Sequence, residues 1–191
     1  MSVAAPAAGT HDSRRLMRTG LRVAALAVIL DQASKWWILS AALPCLSGTT
    51  GPDCELNSPS IYVTPFFNLV MAWNRGVSFG MFAHEADVMP YVLVAVALAI
   101  VGVMVVWLKR TDRMFQAVSI GAVIGGAIGN VVDRLRFGAV ADFLDVHAFG
   151  WHWPAFNVAD SFITVGVALL LLDGFRTGRP APEQDKAGPA A

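Results

Sequence analysis

Apolar residues in this chain are gathered into four long stretches separated by more polar segments. The stretches cover residues 17–39, 89–108, 114–132 and 154–172. A helix needs about 20 mostly apolar residues to cross the hydrocarbon core of a bilayer, and each stretch comes close to that length. The second and third stretches contain no charged residue at all. The pattern therefore predicts an all-α integral membrane protein with four transmembrane helices.

The two ends of the chain lack this pattern and are predicted to be disordered cytoplasmic tails, residues 1–16 and 175–191, which leaves one membrane domain over residues 17–174. Arginines followed by the apolar run of residues 21–30 are also typical of a cleaved signal peptide. No small-x-small cleavage site follows cleanly, however, and apolar character resumes at Trp36. The first stretch is therefore interpreted as a membrane-spanning helix that stays in the protein.

Basic residues are distributed unevenly around the predicted helices. If both termini face the cytoplasm, ten of the fourteen arginines and lysines lie inside, and four lie outside. The positive-inside rule favours this orientation. The ten inside are Arg14, Arg15, Arg18, Arg22, Lys109, Arg110, Arg113, Arg176, Arg179 and Lys186, and the four outside are Lys35, Arg75, Arg134 and Arg136.

Composition agrees with a membrane protein. Hydrophobic residues make up 55% of the chain and charged residues 15%, with a mean hydropathy of +0.56, whereas soluble domains carry roughly 25% charge. The formal net charge is zero, so no basic field predicts a nucleic-acid partner. The two cysteines, Cys45 and Cys54, fall in the first predicted outer loop. An oxidising exterior would allow them to form a disulfide, which we predict.

Polar side chains within the predicted spans are confined to their outer ends. Charged groups in a bilayer cost a few kcal/mol on insertion scales, so their presence needs a structural or functional reason. A site is therefore predicted at the outer level of the membrane. The pairs, on the first, third and fourth spans, are Asp31 with Lys35, Asn130 with Asp133, and Asn157 with Asp160.

The third and fourth spans carry further patterns. Gly121, Gly125 and Gly129 recur every four residues, a spacing that lets helix backbones pack closely in lipid. In the fourth span, polar residues from Asn157 to Thr164 share one helix face, and Pro154 suits the first turn. Such a polar face is typical either of packing against another helix or of a functional site, and the spacing does not favour one of these interpretations over the other.

Asp142, just before the fourth span, offers a chemical interpretation. A returning chain would set its carboxylate opposite Asp160, and two facing carboxylates share one proton. One then acts as a base on water while the other polarises a carbonyl, which hydrolyses a peptide bond without a metal. Spacing alone leaves Asp145 and Asp133 as competing partners.

Other chemistries fit the sequence less well. His84-Glu85 lacks the second histidine of a zinc-protease helix, and His147 and His152 have no partner cluster, so no metal site is predicted. A Ser/Lys pair that uses Lys35 is conceivable, but pairing with an aspartate one turn away is simpler. Two non-hydrolytic hypotheses stay open: a structural scaffold, and a proton-coupled transporter that uses Asp31, Asp133 and Asp160. No internal repeat supports the transporter.

Four blocks of the sequence, in order, resemble the lipoprotein signal peptidases of bacteria, also called signal peptidase II, an aspartic peptidase family. The resemblance spans about residues 21–174. A longer stretch around residues 45–60 departs from the family pattern. The blocks are residues 31–35 (Asp-Gln-Ala-Ser-Lys), 67–69 with 74–80, 125–134 with 140–143, and 156–161.

The resemblance implies four transmembrane helices with a small β-like cradle on the outer, periplasmic side of the inner membrane. It implies that Asp142 and Asp160 are catalytic, without metal or organic cofactor. The implied substrate is a diacylglyceryl-modified prolipoprotein in membrane lipid, cut before the lipidated cysteine, and no oligomer is required. The motif positions expected to support the pair are Asp31, Lys35, Asn74, Gly129, Asn130, Asp133, Arg134 and Asn157. Arg75 joins Asn74 as a predicted substrate-positioning residue, because residues 67–80 are the only patterned part of the first outer loop.

Overall fold

The computed structural model describes residues 9–43, 60–76 and 88–177. Its four long helices coincide with the four predicted stretches, and each is long and apolar enough to cross a membrane. In chain order the helices are α1 (Gly9–Trp37), which continues as a π-helix (Ile38–Ala42), α2 (Met89–Arg110), α3 (Met114–Phe137) and α4 (Val158–Thr177). The strands are β1 (Ser60–Thr64), β2 (Phe67–Asn74), β3 (Val140–Ala148) and β4 (Trp151–His152).

Several helix boundaries differ from the predicted ones. Residues 9–16, predicted as part of a disordered tail, are the first turns of α1, and α4 continues to Thr177. Helix α3 runs to Phe137 and ends at Gly138, whose left-handed φ of 70° terminates the helix. Pro154 does not start α4, because Phe156 exchanges backbone hydrogen bonds with Leu144 on β3 instead. The helix begins only after that pairing ends.

Helix α3 is the centre of the bundle, and its glycines explain why. A Cβ on Gly121 or Gly125 would collide with the backbone of Gly20 or Ala24 on α1, and one on Gly126 would collide with Ala159 on α4. The small-residue pattern therefore does pack helices, as predicted. Gly121 meets Gly20 and Gly125 meets Ala24, so the contacts advance in the same direction along both helices. Helix α1 therefore runs parallel to α3, and their C-terminal ends lie side by side.

A single methyl group on this contact should be costly. We expect Gly125→Ala to destabilise the protein by about 1–3 kcal/mol, since the backbone of α1 must move to admit the new Cβ. Gly102→Ala on α2 is the matched control, because its Cβ would meet nothing within 4 Å. Thermal unfolding in detergent measures both variants. Equal melting temperatures for the two would contradict close packing at Gly125.

The strands form one antiparallel sheet in the order β1-β2-β3-β4. The small β-like element that the resemblance implied is therefore confirmed as a sheet. A register shift between Leu69 and Ala72 leaves Ala72 opposite Asp142. Buried Phe143 packs with Ile38 at the end of α1, which anchors the sheet to the bundle.

Some predictions fall outside the described residues. They are the disulfide between Cys45 and Cys54, most of the longer stretch around residues 45–60, residues 77–80 of the second motif block, and the chain ends at residues 1–8 and 178–191.

Candidate active site

Polar side chains from three helices and one strand meet at one end of the bundle, where α1 and α3 end and α4 begins. Most are buried, although Asp160 keeps part of its surface accessible. The sequence prediction that these groups share one level is therefore correct. The buried members are Asp31, Lys35, Asn130, Asp133, Asp142 and Asn157.

Strand β3 carries Asp142 into this cluster, with 2% of its surface exposed. One carboxylate oxygen accepts a hydrogen bond from Asn74 Nδ2 at 3.0 Å, and the other accepts one from Asn157 Nδ2 at 2.7 Å. Asn74 lies opposite Val140, so its side chain reaches Asp142 along the diagonal of the β2–β3 pair.

Asp160 lies in the first turn of α4 and is held by Asn157, the residue just before that helix. Asn157 Oδ1 accepts the Asp160 N–H at 2.9 Å, and Asp160 Oδ2 accepts the Asn157 N–H at 3.2 Å. This reciprocal pair is a capping box, which explains why the helix begins here. Asn157 is therefore the helix cap, and the polar residues predicted to share a face of the fourth span begin at this cap, where Ser161 also bonds to the Asn157 carbonyl.

Asn157 consequently connects the two carboxylates. Its side-chain amide donates to Asp142, and its backbone N–H donates to Asp160. Asn130 completes the bridge, since its Nδ2 donates to Asp160 Oδ1 at 2.8 Å and its Oδ1 accepts from Asn157 at 3.1 Å. Sequence spacing alone favoured no particular pairing.

Burial raises the pKa of Asp142 to about 6, and the negative charge of Asp160 acts in the same direction. The hydrogen bonds from Asn74 and Asn157 and the charge of Lys35 oppose the rise without cancelling it. Asp142 therefore exchanges its proton closer to neutral pH than an ordinary aspartate does.

The two competing aspartates have other partners. Asp145 lies three positions after Asp142 on the same strand, so it projects from the opposite face. It accepts hydrogen bonds from Asn68 Nδ2 at 3.0 Å and is 2.9 Å from His152 Nδ1. Desolvation acts to raise the pKa of Asp145, but the bonds to His152 and Asn68 outweigh it and lower the pKa. Asp133 is engaged by Lys35 and the Ala141 N–H.

Beneath the pair lies a buried ion network. Lys35 Nζ is 2.8 Å from a carboxylate oxygen of Asp31 and 2.8 Å from one of Asp133, so it bridges two acids where the sequence predicted one. Asp31 accepts the backbone N–H of Ala159 at 2.9 Å, and Asp133 accepts that of Ala141 at 3.2 Å. The network therefore holds the residue that precedes each aspartate of the pair.

Gln32 is a member of this network that the sequence analysis did not single out. Its Nε2 lies 3.1 Å from Asp31 Oδ2, 3.0 Å from Asp133 Oδ1 and 3.3 Å from the Gly129 carbonyl oxygen. The signal was its place within the first motif block. Gly129 leaves room for this contact, since a Cβ there would meet the Asp31 carboxylate.

The two predicted arginines differ in position. Arg134 Nη1 donates to the Asn130 carbonyl at 3.4 Å, and its Nε is buried with no hydrogen-bond partner. The electrostatic neighbours of Arg134 include Asp142 and Asp160. Arg75 lies exposed just after β2. Among the described residues, no three His, Cys, Asp or Glu side chains are arranged to hold a metal ion.

Four apolar helices with a bridged carboxylate pair at one end define a membrane-embedded protein equipped for acid–base chemistry. The sequence profile of the family described as Signal peptidase (SPase) II matches residues 23–176. The chain belongs to this family and is a peptidase, as the resemblance implied.

Relatives and solved structures agree with this assignment. The chain is 42% identical to the "Lipoprotein signal peptidase" of Methylorubrum extorquens (strain PA1), over 90% of this chain and 94% of the relative. It is 40% identical to the protein of that name from Aeromonas hydrophila, over 84% and 92% of the two chains. A solved structure described as a bacterial membrane enzyme superposes with a TM-score of 0.65 at 28% identity, over 81% of this chain and 91% of the other. The transporter hypothesis receives no support from these comparisons.

Proposed function

We propose that this peptidase removes signal peptides from diacylglyceryl-modified prolipoproteins by cutting before the lipidated cysteine, with Asp142 and Asp160 as its catalytic residues. One observation carries the assignment of these residues: Asn157 donates to both carboxylates, its side chain to Asp142 and its backbone to Asp160. The family membership and the printed names of the relatives support the substrate class.

In the proposed reaction the pair holds one proton. The ionised carboxylate takes a proton from water, which attacks the scissile carbonyl, while the protonated carboxyl hydrogen-bonds the developing oxyanion. Collapse of the tetrahedral intermediate breaks the C–N bond, and a proton passes to the leaving amine. The pKa of Asp142, raised to about 6, supports this scheme, because one member of the pair can hold its proton near neutral pH.

In the decisive assay, the purified protein in detergent is incubated with two forms of one precursor, and their cleavage is compared. We expect cleavage when the precursor cysteine carries a diacylglyceryl group, and little when the same cysteine is unmodified. Mass spectrometry of the product identifies the bond that is cut. Equal cleavage of both forms would contradict the lipid requirement and leave the peptidase assignment standing.

We also propose that both termini lie in the cytoplasm and that the site and sheet face the periplasm. The ten-to-four division of basic residues supports this orientation, because the eight of the ten that the structure describes lie at the end of the bundle opposite the site. Reporter fusions after Lys109 should read as cytoplasmic, and fusions at Gly150 as periplasmic. The reverse result would overturn the orientation.

Asn74 is proposed to tune the pKa of Asp142 and to position substrate from the exposed end of β2. Its hydrogen bond lowers the pKa of Asp142, so Asn74→Ala should raise that pKa further and move the lower limb of the pH–rate profile to higher pH. Turnover at neutral pH should fall by roughly tenfold, the equivalent of one hydrogen bond to a charged group. Asn68→Ala is the matched control, because Asn68 donates to Asp145 from the same strand. The same pH shift in both variants would contradict a specific role for Asn74.

A further inference from the structure

Four arginines form a charged stripe on one face of the first turns of α1. Arg14, Arg18 and Arg22 follow each other at intervals of four residues, and Arg15 lies beside them. At 100° per residue all four fall within an arc of about 100°, and at about 1.5 Å per residue they cover roughly 12 Å of the helix. All four side chains are exposed.

This arrangement is unfavourable without a partner. Like charges four residues apart on a helix repel each other, so an unoccupied stripe lowers helix stability. Within the described part of the chain, none of these arginines forms an ion pair. No Asp or Glu is among the described residues that line the cavities beside the stripe. The charge balance therefore favours an external anion.

Two adjoining cavities lie along the stripe. One, of about 470 Å³, is lined by Arg14, Arg15, Arg18, Thr19, Arg22 and Met114. The other, of about 420 Å³, is lined by Ser13, Arg14, Met17, Arg18 and Lys109. Arg14 and Arg18 line both, so five cations from α1 and α2 surround one composite recess. The recess is open to its surroundings, as a site for a lipid headgroup would be.

The position of the recess indicates what it binds. It lies where α2 ends and α3 begins, at the end of the bundle opposite the carboxylate pair. Met17 and Met114 contribute apolar walls, and Leu21 and Phe115 beside them are exposed apolar side chains. A ligand with both a negative headgroup and an apolar tail satisfies these two surfaces together, whereas a soluble phosphate satisfies only the first.

We propose that this recess, the arginine recess, is a binding site for an anionic phospholipid whose phosphate contacts the arginines and whose acyl chains follow the apolar side. Basic recesses between transmembrane helices are suited to lipid phosphates, because each Arg or Lys near an anionic surface contributes about a fivefold gain in binding. The site is separate from the peptidase centre and does not depend on the proposed reaction or orientation.

The test uses the purified full chain in detergent, with native mass spectrometry to measure binding of phosphatidylglycerol and phosphatidylcholine. We expect the chain to prefer phosphatidylglycerol, and the triple variant Arg14→Gln, Arg18→Gln, Arg22→Gln to lose that preference by roughly 100-fold. Arg176→Gln is the matched control, because Arg176 is an exposed arginine at the end of α4 that lines neither cavity. Arg14→Lys, Arg18→Lys, Arg22→Lys should keep most of the preference.

Two results would overturn the proposal. One is an unchanged lipid preference in the triple glutamine variant at a melting temperature equal to that of the parent chain. The other is complete displacement of phosphatidylglycerol by glycerol 3-phosphate at millimolar concentration, which would assign the recess to a soluble phosphate. If the glutamine variant does not fold, the lysine variant and the competition arm still decide between the lipid and the soluble ligand.

Discussion

Asp142→Asn and Asp160→Asn should each reduce precursor cleavage to background. An amide keeps the size of the side chain, but it cannot take a proton from water, so the shared-proton state of the pair no longer exists. Because the two groups act as one unit, the double variant should be no less active than either single variant. Cleavage of a diacylglyceryl-modified precursor by each purified variant measures these effects.

The hydrogen bonds of the two carboxylates predict that these variants also lose stability. Each carboxylate uses both oxygens as acceptors, Asp142 for two asparagine amides and Asp160 for Asn130 and a backbone N–H. An Asn side chain supplies only one acceptor, so each variant places an N–H donor against another donor. We expect a loss of about 1–3 kcal/mol in stability, and the melting temperature should be measured beside activity.

Asp145→Asn is the matched control for the pair. It lies on the same strand and also accepts from an asparagine, Asn68, but it projects from the opposite face of β3. Its activity should stay near that of the parent chain. A folded Asp160→Asn protein with near-normal cleavage would exclude the proposed pair and return attention to a Ser/Lys mechanism.

Replacement of Lys35 should have the largest effect on stability. Lys35→Met leaves the buried carboxylates of Asp31 and Asp133 without their cation, and removing one partner of a buried ion pair costs about 3–5 kcal/mol. Activity should fall with it, since the network holds the backbone before Asp142 and Asp160. Thermal unfolding and precursor cleavage, measured on one preparation, test both effects.

Lys109→Met is the matched control, because it removes a lysine from the end of α2 and leaves the buried network of Lys35 intact. Asp31→Asn should be milder than Lys35→Met, because Lys35 still contacts Asp133 at 2.8 Å and Asn130 at 3.2 Å. If Lys35→Met and Lys109→Met unfold at the same temperature, the network does not stabilise the fold.

The sequence predicted the four helices well because membrane spans depend on a local quantity, the number of consecutive apolar residues. It also placed the polar groups at one level, since the apolar stretches fixed their depth. The pairing of Asp142 with Asp160 was left open, because it depends on which face of β3 each aspartate takes and on the β2–β3 register. Neither is a local property of the chain.

The start of α4 was also predicted wrongly, because it depends on tertiary contacts and not on local sequence alone. Pro154 is a favourable first-turn residue, but the pairing of Phe156 with Leu144 on β3 and the Asn157 capping box place the start at Val158. Tertiary contacts therefore overrode a correct local preference. Gln32 was overlooked for a related reason, since its three acceptors come from two helices that are distant in sequence.

The buried network has a consequence for how this site can change during evolution. Asp31 holds the N–H of Ala159, Asp133 holds that of Ala141, and Lys35 joins the two acids. The backbone positions before the two carboxylates are therefore coupled through Lys35, and we expect a substitution in this support to disturb both. We expect changes in substrate preference to arise more readily outside the network, as at the exposed end of β2 around Arg75.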